Sequence, residues 1–217
     1  MIMNKGLYYY FYKLWSFIKI GLITFISVIP FGVLYFGAGR SFFQTVSLMF
    51  ISNIFLYLAT LAMMTSMRNL SEKGEAVTFS SFFSRYVKLS KSEMACGLII
   101  SLLFSILPYL ISTLNTVPAI SWMSFIVLSW YFFIILVIPY LIVLQTYFYW
   151  ELISLFKTAS KLVFLKLKET VIFFSMTILL VVFFLKLPLI ALFLAIPCYC
   201  YFLVKLFQPI IKFLKSI

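Results

Sequence analysis

The chain has 217 residues, 65% of them hydrophobic and 10% charged, with 17 Lys and Arg, 5 Asp and Glu and no His, for a formal net charge of +12. An ordinary soluble domain is about 45–50% apolar and about 25% charged, and a chain of this size still exposes about a quarter to a third of its unfolded surface. A water-soluble globule is therefore excluded, and a bilayer must be the solvent. The acidic complement is Glu72, Glu75, Glu93, Glu151 and Glu169. His-based catalysis, His metal sites and paired buried carboxylates lack their parts, so neither an enzyme nor a bound cofactor is expected.

In chain order, Tyr8 to Tyr12 reads as an interfacial segment leading into a first apolar run, Leu14 to Phe36. At about 23 residues it exceeds the roughly 7–15 of a signal core, so Gly37-Ala38-Gly39 is not read as a cleavage site. A membrane-crossing helix needs about 20 mostly apolar residues. Runs at about residues 14–36, 42–64, 94–114 and 122–145 meet that length. The last run, Thr170 to Phe207, would make a helix of about 57 Å against a hydrocarbon core of roughly 30 Å. It divides at Lys186-Leu187-Pro188 into spans of about 170–185 and 187–207. The expected fold is all-α, a single membrane domain of six transmembrane helices with two cytoplasmic amphipathic helices.

Orientation follows from the basic residues, because Lys and Arg in short loops collect on the cytoplasmic side. Lys5, Lys13 and Lys19 lie at the N-terminal side; Arg68, Lys73, Arg85, Lys88 and Lys91 lie between spans two and three. Lys157, Lys161, Lys166 and Lys168 separate spans four and five, and Lys205, Lys212 and Lys215 end the chain. Only Arg40 and Lys186 fall on the opposite side. Both termini are expected in the cytoplasm. The positive charge then serves orientation and anionic headgroups, and nucleic acid is not an expected partner. Trp15, Trp122 and Trp150 mark headgroup levels, while the deeper Trp130 is expected to pack against a neighbour.

The two long inner connections each carry a basic amphipathic helix. In the first, Phe79, Phe82, Phe83, Tyr86 and Val87 follow the i, i+3, i+4, i+7, i+8 spacing of one face, with Arg85, Lys88 and Lys91 off the stripe. Thr78 is the expected N-cap, after a turn through Ser71 to Val77. In the second, Leu152, Leu155, Phe156, Ala159 and Val163 form the stripe, and Lys157 and Lys161 share a different face. Such helices either lie in the headgroups with lysines on anionic lipid or dock a partner.

Inside the spans the pattern offers little chemistry. No acidic residue falls within a proposed span, and Lys19 is near enough to an end to snorkel. The polar set is Gln44, Asn53, Ser101, Ser105, Gln145 and Thr177, read mainly as interhelical hydrogen-bonding groups; Asn53 stands out because an unsatisfied amide at the centre of a span is costly. Pro30, Pro108, Pro139 and Pro197 free backbone carbonyls and allow kinks. Cys96, Cys198 and Cys200 all fall in apolar runs and are read as small buried apolar residues; the cysteines show neither a disulfide framework nor zinc spacing.

The order of segments is nonetheless distinctive. A Pro-bearing first span is followed by a second ending in Met64-Thr65-Ser66-Met67-Arg68-Asn69-Leu70, then Lys73-Gly74-Glu75, Thr78-Phe79-Ser80-Ser81-Phe82-Phe83-Ser84-Arg85-Tyr86 and Lys91-Ser92. Tyr149-Trp150-Glu151-Leu152 and Lys157-Thr158-Ala159 follow span four. This resembles the YesL family (DUF624) of bacterial membrane proteins over nearly the whole chain, departing from it at Arg40-Ser41-Phe42-Phe43-Gln44. The resemblance implies a non-enzymatic accessory of a carbohydrate ABC import system, with permease subunits as partners and no catalytic residues to carry over. Two alternatives stay open: a substrate-binding subunit resembling an energy-coupling-factor S component, and a membrane immunity-type protein. The former lacks a clear Ala-x-x-x-Ala pair in span one.

Overall fold

The computed structural model describes residues 12, 14–24, 26, 42–74, 78–88, 90–116, 118–187, 190 and 194–215. These residues form helices with no strand among them: α1 (Leu14–Thr24), α2 (Phe42–Glu72), α3 (Phe79–Val87), α4 (Lys91–Thr116), α5 (Met123–Tyr147), α6 (Leu152–Leu165), α7 (Leu167–Lys186) and α8 (Ile196–Lys215), with a 3-10 turn at Pro118–Ile120. Among the described residues four helices are long and apolar enough to cross a membrane: Val46–Glu72 within α2, α4, α5 and α8. The chain is an all-helical membrane protein. Tyr8 to Phe11, Pro30 and Gly37-Ala38-Gly39 lie outside the described residues.

Two helices outrun their predicted ends. α2 continues to Glu72, well past Met64, because Thr65, Ser66 and Arg68 satisfy their polar ends locally: the hydroxyls of Thr65 and Ser66 donate to the carbonyls of Leu61 and Ala62, and Arg68 pairs with Glu72 at 3.2 Å. It stops at Gly74, whose φ of +67° is the left-handed conformation that glycine adopts without penalty. α8 likewise runs to Lys215 instead of ending at Phe207. α7 ends at Lys186, where the Leu187 N–H still donates to the Phe183 carbonyl at 2.8 Å.

The chain divides into two compact units. One holds the described residues of Val28–Ala59 together with Leu89–Leu167, that is, the first part of α2 with α4, α5 and α6. Here α4 packs against α5, and α6 packs against both. α4 shows most clearly why this is a membrane fold. Its buried face carries Glu93, Gly97, Ser101 and Ser105, whereas Met94, Leu98, Leu102, Ile106 and Leu110 recur on the exposed face. Such an inside-out arrangement suits a helix whose outer face meets lipid and whose small and polar residues meet its neighbours.

The other unit holds the described residues of Met1–Ser27, Thr60–Lys88 and Lys168–Ile217. The last part of α2 lies at its core: Leu61, Ala62, Met63 and Met64 are buried in succession, which on a helix means enclosure on every face. Phe82 of α3, Phe173 of α7 and Phe207 of α8 are equally buried. Phe17 of α1 packs on Tyr201 of α8 at 5.3 Å, and Lys205 lies over the Tyr201 ring at 5.9 Å. Lys19 is held over Trp15 at 5.4 Å, a cation–π contact on its own helix.

Candidate functional site

The polar residues of the first unit converge on one seam. On α4, Glu93, Gly97, Ser101 and Ser105 recur at every fourth position, so they form a single face, and all are buried. Small residues at this spacing let a neighbouring backbone approach closely. Here the space is taken by a side chain: the ring of Tyr57 of α2 lies against Gly97 so tightly that a Cβ built there would stand 2.9 Å from Tyr57 Cδ1. The Tyr57 hydroxyl reaches past α4 and donates to Oε1 of Gln145 on α5. The Cys96 thiol is near enough to interact with both. Two turns further along α4, the Asn53 amide donates to Ser105 Oγ at 3.3 Å, and that hydroxyl donates in turn to the Ser101 carbonyl at 2.8 Å.

Glu93 closes one end of this seam. Its carboxylate accepts from the Ser90 N–H at 2.8 Å, while its own N–H donates to Ser90 Oγ at 3.3 Å. This is a reciprocal capping box, and it fixes the start of α4. Glu93 is only 2% exposed. The expectation that no acidic residue enters a span is corrected here: α4 begins at Lys91, so Glu93 belongs to the first turn of a helix apolar enough to cross. The signal for it was legible as Ser90-x-x-Glu93, and the seam itself as Gly97-x-x-x-Ser101-x-x-x-Ser105. Two seam atoms, Ser101 Oγ and Gln145 Nε2, are buried with no hydrogen-bond partner among the described residues. Gln44 lies on α2, but its side chain is outside the described ones.

In the second unit Thr177 and Tyr199 share a hydrogen bond of 2.6 Å between α7 and α8. Tyr199 also lines a cavity of about 380 Å³, with residues such as Met176, Leu180, Phe183 and Phe202. Cys198 lines the same cavity and is exposed, unlike the buried Cys96 and Cys200, so the reading of all three thiols as buried is corrected for Cys198. It sits two residues from Cys200, and that spacing turns it to the opposite side of the helix.

The two amphipathic segments take different forms. α3 is capped by Thr78, whose hydroxyl accepts from the Ser81 N–H at 3.2 Å while Ser81 Oγ accepts from the Thr78 N–H at 3.2 Å. Phe82 is fully buried; Phe83 and Tyr86 are half-buried, and Phe79 and Val87 are exposed. Burial pushes the Tyr86 hydroxyl up to about 12. Arg85 turns its guanidinium to the Lys88 carbonyl at 3.0 Å, closing the C-terminus of the helix. Lys88 and Lys91 are exposed.

α6 folds back along α5. Leu155, Ala159, Leu162 and Val163 are buried, Leu152 and Phe156 are half-buried, and Lys157 and Lys161 are exposed. The Tyr140 hydroxyl reaches the Lys166 carbonyl at 3.4 Å. The buried residues of the α6 stripe are thus covered by this chain's own α4 and α5. Trp130, expected to pack against a neighbour, is 62% exposed, with Phe133 of its own helix edge-on at 6.3 Å, and it lines a cavity of about 310 Å³ together with Phe164 of α6.

Compared with protein-family models, with curated proteins and with solved structures, the chain matches none. Its function has to be read from the seam and from the two amphipathic helices.

Proposed function

We propose that the protein is a non-enzymatic membrane subunit that works by assembling with another membrane complex, a carbohydrate ABC import system, through α3. The observation that carries this reading is the way α3 is held. A capping box and the fully buried Phe82 anchor it, yet Phe79 and Val87 remain exposed beside Lys88. A rigid helix presenting apolar side chains rimmed by a basic residue is the form of a docking surface. The neutral groups of the seam support the same view, because Tyr57, Gln145, Asn53 and Ser105 are engaged in joining helices. The choice of partner comes from the resemblance of Met64 to Leu70, Thr78 to Tyr86 and Tyr149 to Leu152 to the YesL family.

The topology belongs to the same proposal: six spans with both termini in the cytoplasm of a bacterial cell. It is supported by the confinement of all basic residues except Arg40 and Lys186 to one side of the predicted spans. The 20 residues of α7 add to it, since they give about 30 Å of helix, one bilayer core.

Purification from native membranes in mild detergent tests the assembly. The permease subunits of a carbohydrate importer should emerge with the protein, and Phe79→Glu combined with Lys88→Glu should remove them while the protein remains folded. A protein that always emerges alone, with carbohydrate uptake unchanged on its deletion, would overturn the reading.

A further inference from the structure

The arc of α3 that the rest of the protein leaves uncovered is wide and ordered. At about 100° per residue, Phe79, Phe83 and Val87 form one ridge, with Phe79 52% and Val87 75% exposed and Phe83 half-buried. The Phe79 and Phe83 rings lie 4.8 Å apart, and Phe83 meets Phe82 and Tyr86 at 5.9 and 6.1 Å. The ridge is thus braced by the buried aromatic anchor beside it. Ser80 and Ser84 follow around the helix, and then Lys88; all three are exposed. The Lys88 N–H still donates to the Ser84 carbonyl at 2.9 Å, which keeps Lys88 in helical register.

The width of this arc separates a flat contact from a concave one. From Phe79 to Lys88 it covers about 180° of the helix. The fully buried Phe82 stands about 100° from Phe83 on one side, and Lys88 stands about 140° from it on the other. A flat layer lying on the ridge reaches a quarter turn to either side of Phe83, so Lys88 faces away from it. Between ridge and lysine stand only Ser80 and Ser84, whose short side chains leave room for a wall to close beside the ridge. Lys88 makes no ion pair among the described residues, and the Arg85 guanidinium is turned back to the Lys88 carbonyl. The ammonium group of Lys88 is therefore the charge that α3 offers outward.

Resting on the reading of α3 as the docking element, we infer that this helix inserts into a concave groove of its protein partner. The floor of the groove is apolar and receives Phe79, Phe83 and Val87, one wall closes on Ser80 and Ser84, and the far rim supplies a carboxylate to Lys88. An amphipathic helix laid in a groove takes its affinity from an aromatic anchor in the floor. The rim charge fixes register and excludes wrong partners.

Photocrosslinking of the full chain in native membranes tests the groove, with p-benzoylphenylalanine placed singly at Phe79, Ser84, Val87 or Lys88. All four positions should label one and the same protein, the first and third in an apolar segment and the last within a residue or two of an Asp or Glu. Copurification of that protein should fall about thirtyfold in Phe79→Ala, as for an aromatic anchor. It should fall roughly fivefold in Lys88→Glu, the upper end for an exposed ion pair. Lys88→Arg should keep it, and changing the labelled carboxylate to Lys should restore it in Lys88→Glu. Labelling of lipid alone from Phe79 and Val87, with Ser84 and Lys88 silent, would make the contact a flat bilayer surface and overturn the inference. Labelling of a protein by the ridge alone, or unchanged copurification in Lys88→Glu, would overturn the groove while the assembly stands. If the four positions label one protein that is no part of a carbohydrate importer, the groove stands and the choice of importer fails.

Discussion

The two units solve the problem of holding apolar helices together in different ways. In the unit of α4, α5 and α6, contact is made by removing atoms: Gly97 makes room for the Tyr57 ring, whose hydroxyl meets Gln145, and Asn53 meets Ser105. In the unit of α3, α7 and α8, contact is made by filling space, with Leu61 to Met64, Phe82, Phe173 and Phe207 all buried. Lipid tails are as apolar as leucine, so helices gain nothing there merely by hiding apolar surface from each other. Close approach and hydrogen bonds must supply the difference. α3 connects predicted spans and lies outside them, where water is available to drive burial and a large aromatic anchor is effective.

This contrast predicts opposite sensitivities, removal of atoms in one unit and addition of atoms in the other. The largest effect is expected for Phe82→Ala, which empties a fully buried aromatic site and should cost about 3–5 kcal/mol; thermal unfolding in detergent should register it as the lowest midpoint of the series. Gly97→Ala should follow at about 1–3 kcal/mol, the usual cost of overpacking, because its new methyl meets the Tyr57 ring at 2.9 Å. A Gly97→Ala protein as stable as wild type would remove close approach as the principle of the seam. Tyr57→Phe should cost about 1 kcal/mol, since it leaves the Gln145 carboxamide with no partner from α2. Combined with Gln145→Leu, the loss should be smaller than the two single losses added together, the mark of a direct coupling. Thr177→Val should be the mildest, about 0.6 kcal/mol, the average for a hydrogen bond between membrane helices, because packing carries the rest of that unit.

Much of the helical framework could be read from the residues, and the reasons are local. Thr78 is a capping signal, Gly74 belongs to the turn ahead of it, and the apolar runs that became α4 and α5 are bounded by Lys91 and by the Pro118–Ile120 turn. The second end of α2 was less legible. Thr65, Ser66 and Arg68 look like loop residues until their side chains are seen bonded within the helix. The seam was only half visible, since Ser101, Ser105, Asn53 and Gln145 stood out singly as polar residues, while Gly97 and Glu93, which complete the pattern, did not. α6 was legible as an amphipathic helix, but not its partner. An apolar stripe with lysines beside it is compatible with a headgroup layer, another protein or a helix of the same chain.

The sequence by itself determined the solvent, the helical class, the charge asymmetry and most helix ends. Each of these depends on composition or on residues within a turn or two of one another. Only the tertiary structure decided which faces meet: that Tyr57 lies on Gly97 and reaches Gln145, that Glu93 is buried, and that α6 folds along α5 and brings Phe164 to Phe133. The physical reason is that α2 and α5 are apolar all round, with almost no amphipathic asymmetry. In water that asymmetry would tell the inner face from the outer one, but where lipid accepts every apolar face, only the packing of one helix against another makes the choice.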